Sequence, residues 1–358
     1  MVRLLWKDKP ASFDDIEIKK EEYKDFFTNV ESFPNSSKEW KNKLIWGDNL
    51  DVLYYLLQNF EQKVDLVYID PPFFSGSNYH LSIQDVNNDK QYDAVAYHDK
   101  WDNNLDSYLQ MLYERLYLLY LLLSPTGLIF VHLDWHSAHY IRLLLDEIFG
   151  SDHFINNIVW YYYNKYSASK TNLPRAHDDI LVYSKGDTYT FNEIRIPRDE
   201  PIKQLKRVMV DGVLKNAKDE NGNVVYRIVD DKKEDDVWRI PCMQPASKQW
   251  TGFPTQKHHK LLQRLIKLGS NPNDLILDVF CGSGTTLYAA EKLNRRWIGA
   301  DISKFAIYLT RNRILEYKKN YVNEDSYPFE ILTHLTQKKR DLLGVNFFQK
   351  DLQIKRKS

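Results

Sequence analysis

At 358 residues, with 43% hydrophobic and 27% charged side chains, the chain can bury a full core, as one large domain with an insertion or as two domains. No run of about 18 apolar residues occurs, which argues against a membrane span, and two distant cysteines, Cys242 and Cys281, cannot build a disulfide or metal framework. Lys plus Arg and Asp plus Glu both number 49, so net charge gives no pull toward nucleic acid, and any phosphate contact must come from local placement of positive charge.

The N-terminus opens on charged residues without an apolar leader core, and the expected location is the cytoplasm. Residues 1–43 are polar, with weak helical periodicity over 16–27, and read as a peripheral N-terminal arm. From Leu44 onward strands and helices alternate. Val64 to Ile69 is a short β-branched run suited to a buried parallel strand. Leu105 to Leu123 has the length of a helix and stops at Ser124-Pro125, and Leu128 to Leu133 follows as a strand after the turn Pro125-Thr126-Gly127. Ser137 to Phe149 is amphipathic and closed by Gly150, while Ile155 to Tyr163 and Asp179 to Ser184 read as strands.

Over 186–250 the rhythm fails. The stretch is polar, with Asp-Gly and Asn-Gly pairs and short β-like runs such as Val224 to Val229, and fits either an inserted recognition module or a long solvated loop. Lys257 to Leu268 and Thr285 to Leu293 then read as helices around the strand Leu275 to Phe280. Arg296 to Ala300 is a strand and Ser303 to Tyr317 a helix. Such alternation predicts an α/β fold, doubly wound, with a mostly parallel sheet. Beyond Tyr321 an extension ends in the basic tail Ile354-Lys355-Arg356-Lys357.

Two motifs carry chemistry. Asp278-Val279-Phe280-Cys281-Gly282-Ser283-Gly284-Thr285 leaves a strand and opens a helix, where glycines admit close approach of a ligand and the helix start offers N–H groups. Asp301 ends the next strand, where an acid can accept from ribose hydroxyls. A third glycine is missing after Gly284 and no Gly-Lys-Ser/Thr follows, so a nucleoside cofactor without phosphates fits better than a dinucleotide; a plain tight turn has the same pattern. The second motif is Asp70-Pro71-Pro72-Phe73, at the carboxyl end of the strand Val64 to Ile69. Consecutive prolines stiffen the backbone and remove two N–H donors, leaving carbonyls free to accept. A carboxylate and a carbonyl can together hold an exocyclic amine in the pyramidal form that restores its lone pair, and Phe73 supplies a stacking face. The bland alternative is a rigid turn with a surface acid.

In this order the two motifs resemble the permuted DNA amino-methyltransferases. There the Asp-Pro-Pro-aromatic residues bind the target amine and the Phe-x-Gly-x-Gly loop binds S-adenosylmethionine. Further matches are Ile45-Trp46-Gly47-Asp48-Asn49-Leu50, whose acid would contact the cofactor adenine, then Trp101 to Leu116, Gly127 to Trp135, Leu145 to Gly150 and Thr251 to Lys257. The resemblance covers 44–317, interrupted at 186–250. It departs at His258, where proline is usual, and at Val279, where proline is common.

The resemblance implies a Rossmann-like, circularly permuted domain with its catalytic half at 44–185 and its cofactor half at 251–320. A small target-recognition insertion would lie at 186–250, between an arm at 1–43 and an extension at 321–358. Asp70, Pro71, Pro72 and Phe73 would be catalytic. Asp48, Asp278, Phe280, Gly282, Gly284, Thr285 and Asp301 would bind S-adenosylmethionine, with Lys257 a weaker cofactor candidate. Double-stranded DNA is the implied partner, with a cognate restriction endonuclease and a homodimer as companions and no membrane. Aspartate at 70, where cytosine-N4 enzymes tend to have serine, points to adenine N6. Alternatives are cytosine N4, an RNA or protein amide, a catalytically silent DNA-binding subunit and, more distantly, a nicotinamide dehydrogenase.

Other residues have ordinary readings. His132, Asp134 and His136 alternate like metal ligands, with buried hydrogen bonding the expected role and no metal required. Tyr161, Tyr162 and Tyr163 suit strand packing or a DNA groove. Lys203, Lys206, Arg207, Lys215 and Lys218 suit a solvated face or phosphate contacts. Cys281 is expected to be a small filler.

Overall fold

The computed structural model describes residues 3–33, 39–85, 91–101, 104–165, 170–321, 326–334 and 352–354. The chain divides into two compact units, Met1–Phe191 with Asp236–Ser358, and Asn192–Asp235.

The first half of the larger unit runs β1 (Thr28–Phe33), β2 (Asn42–Trp46), α1 (Asn49–Phe60), β3 (Val64–Ile69), β4 (Asn78–Asp85), β5 (Gln91–His98), α2 (Leu105–Leu122), β6 (Leu123–Leu133), α3 (Ala138–Phe149), β7 (Phe154–Tyr161) and β8 (His177–Ser184). The smaller unit holds β9 (Arg195–Leu205), β10 (Arg207–Val210), β11 (Val213–Asn216) and β12 (Tyr226–Lys233). The chain returns with β13 (Val237–Arg239), α4 (His259–Gly269), β14 (Leu275–Asp278), α5 (Thr285–Lys292), β15 (Arg296–Asp301), α6 (Lys304–Asn320), β16 (Phe329–Thr333) and β17 (Leu352–Ile354).

The main sheet has the order β1-β16-β2-β15-β14-β3-β6-β8-β7-β13. Its centre is parallel from β16 through β6, and β1 and β8 run antiparallel to their neighbours. This is the doubly wound α/β fold that the alternation predicts. Central strands are leucine, isoleucine and valine runs without polar alternation, because helices cover both faces; Leu66, Val67, Ile276 and Leu277 have no exposed surface. From β14 the chain winds through α5 to β15 on one side, and from β3 through α2 to β6 on the other. The β14/β3 boundary is therefore the switch point of the sheet, where an open α/β sheet has its crevice.

Four segments differ from their reading in the sequence. Ser124 to Gly127 is absorbed into β6: Val64 opposes Leu123 and Leu66 opposes Leu128, so the extra residues bulge instead of separating helix from strand by a turn. Residues 78–85 and 91–98, left unassigned, pair as the antiparallel strands β4 and β5, and β17 adds to β4. The N-terminal arm lies against the body, with Trp6 buried edge-on to Tyr113 and bonded to Gln110 at 2.8 Å, and β1 paired along β16. Within 186–250, Trp238 of β13 is buried on the main sheet, where β13 pairs with β7.

The smaller unit is two antiparallel ladders, β9 with β12 and β10 with β11. Its strands are exposed on most positions, so it lacks the apolar periodicity that reveals a strand from sequence. Among the described residues no helix is long and apolar enough to cross a membrane. The basic residues at 355–357 lie outside the described residues.

Candidate active site

The glycine loop begins where β14 ends. Asp278 is buried, and its Oδ1 accepts from the Phe280 amide at 2.9 Å. Gly284 caps α5 with φ +70° and ψ 29°, and a Cβ there would meet Thr310 at 2.5 Å. Glycine is required twice over, for the left-handed backbone and for the close approach of α6. Thr310 Oγ1 donates to the Gly282 carbonyl at 3.2 Å, and Asp301 accepts from the amides of Gly282 at 2.9 Å and Ser303 at 2.8 Å. Asp301 thus braces the loop from the end of β15. Arg313 of α6 reaches the Ser283 carbonyl at 3.3 Å and Thr285 Oγ1 at 3.0 Å.

Burial pushes the Asp278 carboxyl up to about 7 and the Asp301 carboxyl up to about 6. The native state then holds more protons than the unfolded chain between about pH 4 and pH 7, so these two groups lower stability as pH rises through that window. Asp278→Asn keeps an acceptor for the Phe280 amide and removes the ionisation. The variant is expected to gain on the order of 1–3 kcal/mol over wild type at pH 8 and much less at pH 5. Thermal unfolding at the two pH values checks this, and a larger gain at pH 5 contradicts it.

At the end of β3 the buried strand delivers Asp70 to the crevice. Asp70 Oδ2 accepts from Lys257 Nζ at 2.5 Å, while Oδ1 is buried with no hydrogen-bond partner among the described residues. The Pro72 carbonyl accepts from Tyr108 Oη at 2.9 Å. Phe73 stacks on His132, with ring centroids 6.0 Å apart, and Lys257 Nζ lies 5.3 Å from the Phe73 centroid. Lys257, a weaker cofactor candidate from the sequence, pairs with the predicted catalytic carboxylate in the wall of the same cavity.

Beneath Phe73 is a buried polar network. A carboxylate only accepts, so His132 Nε2–H donates to Asp178 at 3.2 Å, leaving Nδ1 to accept from Tyr68 Oη at 2.9 Å. Tyr162 Oη donates to the other Asp178 oxygen at 3.1 Å. Burial raises the Asp178 carboxyl, but the hydrogen bond from His132, nearby positive charge including Lys257, and the bond from Tyr162 outweigh it and hold the group below the usual carboxylate range. His136 turns instead to Asp134, at 2.7 Å. Buried hydrogen bonding thus engages His132, while His136 is part-exposed, and Tyr162 is a packing residue while Tyr161 and Tyr163 are exposed.

Asp48 caps α1, accepting from the Leu50 amide at 2.8 Å, and pairs with Arg115 of α2 at 3.3 Å. Arg115 is nearly buried and its Nε also donates to Asn49 Oδ1 at 2.5 Å. Asp178 stands in no motif read from the sequence, and Arg115, though inside the matching segment Trp101 to Leu116, has no signal there that singles it out; both come from elements far along the chain. A cavity of about 480 Å³ joins these parts, within the range of small-molecule sites. Its wall includes Asp48, Asp70, Pro71, Pro72, Phe73, Asp278, Phe280, Gly282, Thr285 and Asp301, with Lys257 and Arg115. Gly284 shapes the loop from outside the wall. Cys281 lies in the same loop, buried, with its amide bonded to Ala300.

Comparison with known proteins bears on this arrangement. The family model described as DNA methylase, of N6 and N4 type, matches residues 64–312. The Type II methyltransferase M.EcaI of Enterobacter cloacae is 29% identical over 350 residues, covering 83% of this chain and 75% of that protein. M.HpaI of Haemophilus parainfluenzae, also a Type II methyltransferase, is 28% identical over 265 residues, covering 72% and 70%. Among solved structures, the PvuII DNA methyltransferase, described as cytosine-N4-specific, superposes with TM-score 0.50 at 17% identity, covering 88% of this chain and 98% of that one. This last likeness bears on the fold alone.

Proposed function

The chain belongs to the N6/N4 DNA methylase family, and from that premise we propose that it methylates the N6 amine of adenine in double-stranded DNA. The observation that carries the reading is Asp70 Oδ1, a buried acceptor with no hydrogen-bond partner among the described residues, in the wall of the cavity that the glycine loop also lines. Such an atom is costly unless a ligand supplies a donor, and an exocyclic amine does.

The cavity suits S-adenosylmethionine. The Phe280 to Gly284 loop approaches closely, Asp301 and Asp48 present carboxylates to hydroxyl and amino donors, and Ile302, 64% exposed, offers an apolar face beside Asp301. When bound, the cofactor supplies an electrophilic methyl group on a sulfonium. The chain's own residues do the rest. Lys257 fixes one Asp70 carboxylate oxygen, which turns the other toward the cavity. Oδ1 and the Pro71 carbonyl each accept one amine N–H, and this pair favours the pyramidal nitrogen whose lone pair points at the methyl. Phe73, backed by His132, stacks on the base, which must leave the duplex to reach the site.

The unit at 192–235, within the stretch 186–250, is assigned to target recognition, with exposed Lys203, Lys206, Arg207, Lys215 and Lys218 as phosphate contacts. Both relatives are named Type II methyltransferases, which supports a cognate restriction endonuclease acting on the same site.

Incubation with methyl-labelled S-adenosylmethionine and unmethylated genomic DNA, followed by nucleoside analysis, tests the reading. N6-methyladenine is expected. Label in N4-methylcytosine overturns the choice of base and keeps the reaction class; DNA that stays unlabelled overturns both.

A further inference from the structure

We propose that Asp99 is a positioning residue for the catalytic loop, an inference that rests on the methyl-transfer reading above. Asp99 follows β5 and is 1% exposed. Its two oxygens accept from the amides of Phe73 at 3.3 Å, Phe74 at 2.9 Å and Ser75 at 2.8 Å, from Ser75 Oγ at 2.5 Å and from the Trp101 indole at 3.2 Å. Its backbone is tied to the same loop, with the Gly76 amide donating to the Asp99 carbonyl and the Asp99 amide to Ser77, each at 3.1 Å.

Three successive amides converging on one buried carboxylate form a concave anion-binding nest, here filled by the protein itself. The arrangement answers a specific problem. Pro71 and Pro72 have no N–H, so the reacting segment cannot be tied down from its own donors. Phe73 supplies the first amide after the prolines, and Asp99 clamps there and at the next two residues. Phe74 is held at φ +65°, a conformation that side chains rarely adopt and that needs such over-determination to persist. Fixing these peptide planes fixes the direction of the Phe73 ring and, through the rigid Pro-Pro unit, the Pro71 carbonyl that receives the amine. Asp99 therefore acts on the reaction through the loop, without touching base or cofactor.

Asp99→Asn preserves shape but turns an NH₂ group toward N–H donors, breaking the nest. Hydrogen–deuterium exchange on the full chain should show the amides of residues 73–75 exchanging at least about ten-fold faster, with the rest of the main sheet unchanged. Methyl transfer to unmethylated genomic DNA should lose about 10- to 100-fold in kcat, the scale expected for a displaced reacting geometry. The S-adenosylmethionine Kd should stay within about two-fold. A kcat near wild type overturns the inference, and so does a loss of activity matched by loss of cofactor affinity or of protection across the whole domain. If Asp99→Asn does not fold, Trp101→Phe removes one donor and keeps the ring; a few-fold fall in kcat with faster exchange at 73–75 is expected, and neither change overturns the role. A wild-type chain that binds S-adenosylmethionine but methylates no DNA overturns the functional reading, and this inference with it; Asp99 failing alone leaves wild-type methylation intact.

Discussion

Asp70→Ala is expected to abolish methyl transfer, with kcat down by at least about 100-fold, the scale of losing one preorganised polar contact to a transition state. Affinity for S-adenosylmethionine should change by no more than about three-fold, because the loop from Phe280 to Gly284 and its brace Asp301 do not depend on Asp70. The substitution also leaves the Lys257 ammonium, buried apart from a tenth of its surface, without its counter-ion. Breaking a buried pair from one side costs about 3–5 kcal/mol, and somewhat less here because Asp70 keeps some solvent contact. The variant should therefore unfold at lower temperature, and Asp70→Ala combined with Lys257→Met should recover stability but not activity. Calorimetric cofactor binding, thermal unfolding and methyl incorporation separate the effects. Near wild-type methylation by Asp70→Ala would show that the amine is held elsewhere.

Gly284→Ala should act at the other end of the cavity. A left-handed alanine costs about 1–2 kcal/mol by itself, and its Cβ would stand 2.5 Å from Thr310 Oγ1 and Cγ2. Moving Thr310 releases the Gly282 carbonyl, so the loop shifts as a unit. Cofactor affinity should fall at least about 30-fold, with a drop of several degrees in Tm. The pair Gly284→Ala, Thr310→Ala makes room for the methyl and should recover part of the stability. A single variant that binds S-adenosylmethionine like wild type would show that the loop tolerates the shift.

The sheet and both ends of the site are legible in the sequence because each is local. A buried β-branched run followed by Asp70-Pro71-Pro72-Phe73, and a strand followed by a glycine turn, signal their geometry within about ten residues. The parts that finish the site are contacts across long separations. Lys257 meets Asp70 across 187 positions, and Arg115 meets Asp48 across 67. Asp99 sits between a strand pair and a helix in a stretch with no period at all, and only the fold brings three amides to its carboxylate. The smaller unit stayed unread for the opposite reason. Its strands are exposed at most positions, so no apolar alternation marks them, and only the ladder of backbone hydrogen bonds defines them.

The place of β16 has a consequence for assembly. Residues 329–333 lie between β1 and β2, so the strand nearest the start of the chain has no neighbour until one of the last described segments arrives. During synthesis, at about 5–20 residues per second, the core strands β3, β6 and β14 can pair while β1 waits. Closing that edge joins residues some 300 positions apart, the kind of non-local step that slows folding. A nascent chain would thus carry a glycine loop and a catalytic loop before β1 locks, and that edge of the sheet closes only once β16 has been made.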